Sequence, residues 1–137
     1  VQLVLETGNN AMVPSAWLGR KLIDDIGSDH LRILWDPANS LYANEPTYPD
    51  GWDSLKGGYI GHLHIKDAIV NMPRAHVEFC ELGKGDMAPF LLPLANDMKA
   101  HGYDGFISLE SVYRPAEGSF EDGYRASLPK FNELFDW

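Results

Sequence analysis

Cysteine is nearly missing from this chain. Cys80 is the only one in 137 residues, so no internal disulfide can staple the fold, and a reducing, cytoplasmic setting fits. Basic residues are scarce as well: 11 Lys and Arg stand against 20 Asp and Glu, for a formal net charge of −9. They are scattered, whereas nucleic-acid binding normally shows a basic face, so no nucleic-acid partner is expected. No apolar run approaches the length of a membrane span and no signal-peptide pattern is present, so no membrane partner is expected either. Internal repeats and low-complexity segments are also lacking. An initiating Met is missing: Val1 opens the chain already inside a strand-like run, Gln2–Leu5. That start reads as a truncation, with residues 1–137 forming one domain that is the C-terminal part of a longer protein.

Four apolar runs are present, and each ends in a residue able to hold a metal. They are Leu3-Val4-Leu5-Glu6, Ile33-Leu34-Trp35-Asp36, Ile60-Gly61-His62-Leu63-His64 and Phe106-Ile107-Ser108-Leu109-Glu110. In the third, alternation puts Ile60, His62, His64 and Lys66 on one face and Gly61, Leu63 and Ile65 on the other. Four strands that each deliver a ligand-type residue at the C-terminal end have the layout of a (β/α) barrel site.

Between the strands the sequence predicts helices. A polar loop, residues 7–10, leads to Ser15 as N-cap of a helix with Leu18, Leu22 and Ile26 on its apolar stripe, widened by Ile23 and closed by Gly27. Ser40 to Gly58 reads as a long loop with at most a short helix around Trp52–Leu55. An irregular excursion from Ala68 to Gly85 holds one short strand, His76–Phe79. Asp86 is placed to cap a helix over Met87–Ala100, with Pro93 awkward near its start, and Gly102 to end it. A last helix, Phe120–Phe135, carries Tyr124, Leu128, Phe131, Leu134 and Phe135, with Pro129 expected to kink or restart it.

This alternation argues for parallel strands joined by right-handed crossovers. The ligand-type residues fall 30, 28 and 46 positions apart (6 to 36, 36 to 64, 64 to 110). A βα unit takes roughly 30 residues, so the first two intervals are one unit each and the third is one unit plus the excursion. A whole eight-stranded barrel takes about 250 residues. The expected fold class is α/β, a parallel half-barrel equivalent to the last four βα units of a TIM barrel.

Singly, a carboxylate after an apolar run is a solvated strand end or a helix cap, and a strand histidine is a core residue. Together, parallel strands bring Glu6, Asp36, His64 and Glu110 to one rim, where three carboxylates repel strongly unless a cation is present. One imidazole and three carboxylates form a mostly oxygen shell. That suits Mn²⁺, Mg²⁺ or Co²⁺ better than structural zinc, with Zn²⁺ still admissible.

The ordered segments Leu5-Glu6, Trp35-Asp36-Pro37-Ala38-Asn39, His62-Leu63-His64-Ile65-Lys66-Asp67, Leu82-Gly83-Lys84-Gly85-Asp86, Gly102-Tyr103-Asp104-Gly105 and Ser108-Leu109-Glu110 resemble the last four strands of the xylose-isomerase-like TIM-barrel superfamily. The resemblance implies one metal ligand from each strand, carried onto Glu6, Asp36, His64 and Glu110. It selects His64 over His62, which lies one layer deeper. Two positions depart from many ketose epimerases of this superfamily: Asn39 stands in place of a His, and Val70 in place of an Arg. That moves the resemblance toward the broad sugar-phosphate isomerase/epimerase branch.

The activity implied is a metal-dependent sugar or sugar-phosphate isomerase or epimerase working through an enediolate, with Glu6 and Glu110 as the two bases. An inosose-type dehydratase or lyase on the same fold is the alternative, and a metal-binding half-barrel inactive in isolation is another. Trp35, Asn39, Lys66 and Tyr113 are the candidates for contact with a small sugar or polyol. For Lys66 a salt bridge to a rim carboxylate is an equal reading. The Gly83-Lys84-Gly85 turn reads as a plain loop that a phosphate could also use. The expected partners are the substrate and either a second copy of the chain or a missing N-terminal half.

Overall fold

The structure, a computed structural model, describes residues 1–8 and 11–137; Asn9 and Asn10, the end of the polar loop expected after Glu6, lie outside the described residues. In chain order the elements are β1 (Leu3–Glu6), α1 (Ala16–Ile26), β2 (Leu31–Trp35), α2 (Pro37–Tyr42), α3 (Asp50–Leu55), β3 (Ile60–Ile65), β4 (Ala68–Asn71), a 3₁₀ turn (Met72–Arg74), β5 (His76–Phe79), α4 (Ala88–Ala100), β6 (Phe106–Leu109) and α5 (Phe120–Phe135). The residues fall into two compact units. The first is Val1–His64 with Asp104–Ser108, and the second is Ile65–Tyr103 with Leu109–Trp137. Among the described residues no helix is long and apolar enough to cross a membrane.

The first unit is built on the parallel sheet predicted from the apolar runs, with strand order β1-β2-β3-β6. Glu6 pairs with Leu34, Leu34 with His62 and Trp35 with Leu63. The register shifts between Ile33 and Leu34, because Ile33 pairs with Ile60 and Leu34 with His62. Gly61 is the residue this shift passes over. A Cβ there would stand 2.8 Å from Val4 Cγ1 and 2.9 Å from Arg32 Cβ, closer than side chains tolerate. Ile33, Trp35 and Leu63 are fully buried, while Leu34, His62 and His64 are half-buried. The period-two reading of β3 therefore holds.

Ser15 caps α1 by accepting from the Leu18 N–H, and Gly27 closes it in the left-handed conformation with its N–H on the Ile23 carbonyl. Of the expected stripe on α1 Ile23 is buried, Leu18 and Leu22 are half-buried and Ile26 is exposed; the other buried residues are Ala16 and Gly19. Small residues win because the helix sits tightly on the sheet: a Cβ at Gly19 would lie 3.1 Å from Ile33 Cδ1. The short helix expected around Trp52–Leu55 is present as α3, and a second one not expected, α2, stands before it. Asp36 is the N-cap of α2, with Pro37 pre-set at its first turn. Trp52 and Leu55 of α3 are buried.

In the second unit the expected excursion folds as an antiparallel β4–β5 hairpin, pairing Ala68 with Phe79 and Asn71 with His76. Asp86 does not cap α4. Its carboxylate accepts instead from the Val70 N–H of β4 at 2.8 Å, and the N-cap position of α4 is Met87, without a side-chain cap. Pro93 and Pro129 lie within continuous helices, so Pro129 does not restart α5. The buried line of α5 is Gly123, Ser127 and Leu134, whereas Tyr124 is exposed. Gly123 packs against the Tyr113 backbone, where any Cβ would collide with the carbonyl, and the Ser127 hydroxyl accepts from the Leu82 N–H at 3.1 Å. Close approach of α5 to backbone explains why its small residues are the buried ones.

Candidate metal centre

In the first unit, β1, β2 and β3 bring Glu6, Asp36 and His64 together at their C-terminal ends. One ligand atom from each lies within 4.8 Å of the others. Glu6 is exposed, Asp36 fully buried and His64 half-buried. His64 Nδ1 is 3.2 Å from Glu6 Oε1. Asp36 Oδ1 accepts from the Ala38 N–H at 3.1 Å, the cap bond that starts α2.

Thr7, which the sequence reading passed over, ties the first two turns together. Its Oγ1 accepts from the Asp36 N–H at 3.1 Å, and its carbonyl accepts from Asn39 Nδ2 at 2.6 Å. Thr7 is fully buried. Its position directly after Glu6 is the signal that could have singled it out. Ser108 was missed too. Its hydroxyl lies 2.6 Å from His62 Nε2, and the His62 and His64 rings meet edge-on at 5.1 Å. Burial, reinforced by the neighbouring His64 ring, holds His62 below the ordinary imidazole range. A neutral His62 packed on Ser108 is a support for the His64 ring.

A buried carboxylate within reach of a second one is costly unless a cation lies between them. Two carboxylates and an imidazole also offer the oxygen-rich set that Mn²⁺, Mg²⁺ or Co²⁺ prefers. The residues of this cluster fit such an ion.

Glu110 belongs to the second unit. Its N–H donates to the Ile65 carbonyl at 2.9 Å, and its Oε2 accepts from Lys66 Nζ at 2.9 Å. Of the four residues expected to touch substrate, Trp35, Asn39 and Lys66 are buried and Tyr113 is half-buried. Trp35 lies under α3, where a Cβ at Gly51 would stand 3.0 Å from its ring. The Gly83-Lys84-Gly85 turn has its two glycine N–H groups on the Asp67 carboxylate, at 2.9 and 3.0 Å.

The xylose isomerase-like TIM barrel family matches this sequence over residues 1–134. The chain belongs to that family. No curated protein sequence matches it. Among solved structures of xylose isomerase-like TIM barrels and their relatives, a xylose isomerase domain protein from Planctomyces limnophilus is similar at 21% identity and a TM-score of 0.72, with 97% of this chain and 44% of that chain covered. An L-ribulose 3-epimerase is similar at 19% identity and a TM-score of 0.71, over 99% and 48% of the two chains. The probable 3-DHS dehydratase AsbF from Bacillus anthracis follows at 17% identity and 0.69, over 96% and 49%. At such identities the likeness speaks for the fold: the parallel sheet and its helices match part of a xylose isomerase-like TIM barrel. The chain spans about half the length of these structures.

Proposed function

We propose that the intact protein is a metal-dependent sugar or sugar-phosphate isomerase or epimerase acting through an enediolate. In this reading Glu6, Asp36, His64 and Glu110 hold a divalent ion, and Glu6 and Glu110 exchange protons with the substrate. The observation that carries it is the convergence of Glu6, Asp36 and His64 from three neighbouring strands, within 4.8 Å. Family membership supports it, as do the epimerases among the similar folds. Glu110 is included because the resemblance drawn from Ser108-Leu109-Glu110 assigns it the fourth ligand position.

A divalent ion bound there would act as a Lewis acid toward substrate oxygens. The chain's own part is to hold and move protons. A Glu6 carboxylate oxygen takes a proton from the carbon beside the substrate carbonyl. Glu110, with Oε2 gripped by Lys66, returns one. Removal and return on opposite faces give epimerisation; transfer between adjacent carbons gives isomerisation. Asp36, fixed by its cap bond to Ala38, and His64, backed by His62, would help to hold the ion. Tyr113 offers an aromatic surface for a sugar ring.

The test is turnover by the intact, Mn²⁺-supplied protein in D₂O, on a panel of ketoses and aldoses with and without phosphate. Deuterium at the carbon next to the carbonyl is the expected result. Turnover without solvent deuterium overturns the proton-exchange mechanism, and no turnover on any sugar favours a metal-binding half-barrel. A second reading is dehydration, the reaction named for the Bacillus anthracis neighbour; water loss to an unsaturated product in the same assay would establish it.

A further inference from the structure

Asp67 takes no part in the chemistry above, yet its carboxylate accepts four backbone hydrogen bonds and the residue is only 2% exposed. Its Oδ1 accepts from the N–H groups of Ala68 at 2.8 Å and Met87 at 3.0 Å. Its Oδ2 accepts from Gly83 at 2.9 Å and Gly85 at 3.0 Å. All four partners are donors, which suits an ionised carboxylate on both oxygens. The glycines are required here. Gly83 has φ +85°, and a Cβ on Gly85 would run into Asp67 itself, the Ala68 carbonyl and the Cys80 sulfur. Met87, in turn, stands at the N-cap position of α4, which has no other side-chain cap.

A glycine turn followed by a helix start, with N–H groups converging on one point, is the donor arrangement of an anion site. Here the anion comes from the chain itself. Directly before it, Lys66, 8% exposed, reaches Glu110 Oε2 at 2.9 Å, and the Glu110 N–H meets the Ile65 carbonyl. Ile65, Lys66 and Asp67 are thus a short arm fixed at one end by four hydrogen bonds and touching Glu110 at the other.

We propose that Asp67 is a positioning residue: by filling the anion hole of the Gly83–Met87 backbone, it holds Lys66 against Glu110. The turn is then a fixture for the arm rather than a cradle for a substrate phosphate. The catalytic consequence rests on the role proposed above for Glu110, but the placement of the arm does not.

Asp67→Ala in the intact protein tests it with two readouts. Hydrogen exchange at the Gly83, Gly85 and Met87 amides should speed up about tenfold or more. Acylation of Lys66 by an N-hydroxysuccinimide ester, followed by mass spectrometry, should rise several-fold. Added formate, which can re-enter the emptied hole, should reverse both changes, and the same concentration of chloride should not. Asp67→Asn keeps the shape but turns an amide NH₂ toward N–H donors; it carries the same two readouts if the alanine variant does not fold. Unchanged amide exchange overturns the proposal, and so does a lack of recovery with formate. Faster exchange with unchanged Lys66 labelling also overturns it, since Asp67 would then be only a loop staple. Neither readout involves a metal or a sugar, so failure of the isomerase reading and failure of the clamp are told apart.

Discussion

Lys66 and Glu110, 44 residues apart in sequence, meet through a 2.9 Å bond from Nζ to Oε2, with the lysine side chain 9% and the glutamate side chain 34% exposed. A pair this enclosed is screened little by salt, and removing its donor is felt in stability. Lys66→Met should lower the unfolding free energy by about 1.5–3 kcal/mol, the range for hydrogen bonds to charged groups. Lys66→Arg should recover part of that loss. Urea unfolding of the intact protein measures both, and a Met variant as stable as the parent would contradict the structure.

The two strand histidines should separate cleanly in a metal titration. His64 sits beside Glu6, whereas His62 turns its Nε2 to Ser108. His64→Ala should abolish Mn²⁺ binding in calorimetry. His62→Ala should weaken it by about tenfold, the lower end for residues that support a ligand. Equal effects from both would mean that the ligand assignment is wrong.

Gly123 is pressed against the Tyr113 carbonyl. Gly123→Ala should therefore destabilise the protein by about 1–3 kcal/mol, the usual cost of overpacking, despite the better helix propensity of alanine. A raised melting temperature in this variant would show that α5 has room to shift.

Cys80 should be a sluggish thiol. Burial pushes its pKa up to about 12, and the carboxylates of Asp67, Asp86, Glu78 and Glu81 add to the effect. Iodoacetamide at pH 8 should label it slowly in the native protein and quickly in urea. The sign for stability follows. The thiol ordinarily loses its proton near pH 9.0 but keeps it to about 12 when folded. Its contribution is therefore complete below pH 9 and fades as the pH climbs through that window. Fast native labelling at pH 8 would refute the raised pKa of this half-buried thiol.

The four sheet strands were readable because each is a short apolar run that stops at a polar residue, and β3 alternates as well. The converging trio was readable because parallel strands have only one C-terminal end. Helix α2 escaped notice because Asp36 was read as a ligand, although Asp followed by Pro is also a helix start. The buried faces of α1 and α5 were read only in part, with Ile23 and Leu134 correct, for a different reason. A hydrophobic stripe marks what would gain from burial, but Gly19, Gly123 and Ser127 mark where backbones come closest, and only the assembled contacts reveal that. The partners of Asp67 were out of reach too. Three of its four donors lie 16, 18 and 20 residues away, in a turn whose glycines could equally have faced solvent.

The Thr7 crosslink has a consequence for how the centre responds to salt. The turns bearing Glu6 and Asp36 are joined by uncharged hydrogen bonds, Asp36 N–H to Thr7 Oγ1 and Asn39 Nδ2 to the Thr7 carbonyl. Asp36 is fully buried, so ionic strength reaches its repulsion with the exposed Glu6 only weakly, and it has as little grip on the bonds that set the spacing of their turns. The frame of this cluster should thus keep the same dimensions in dilute buffer and in brine.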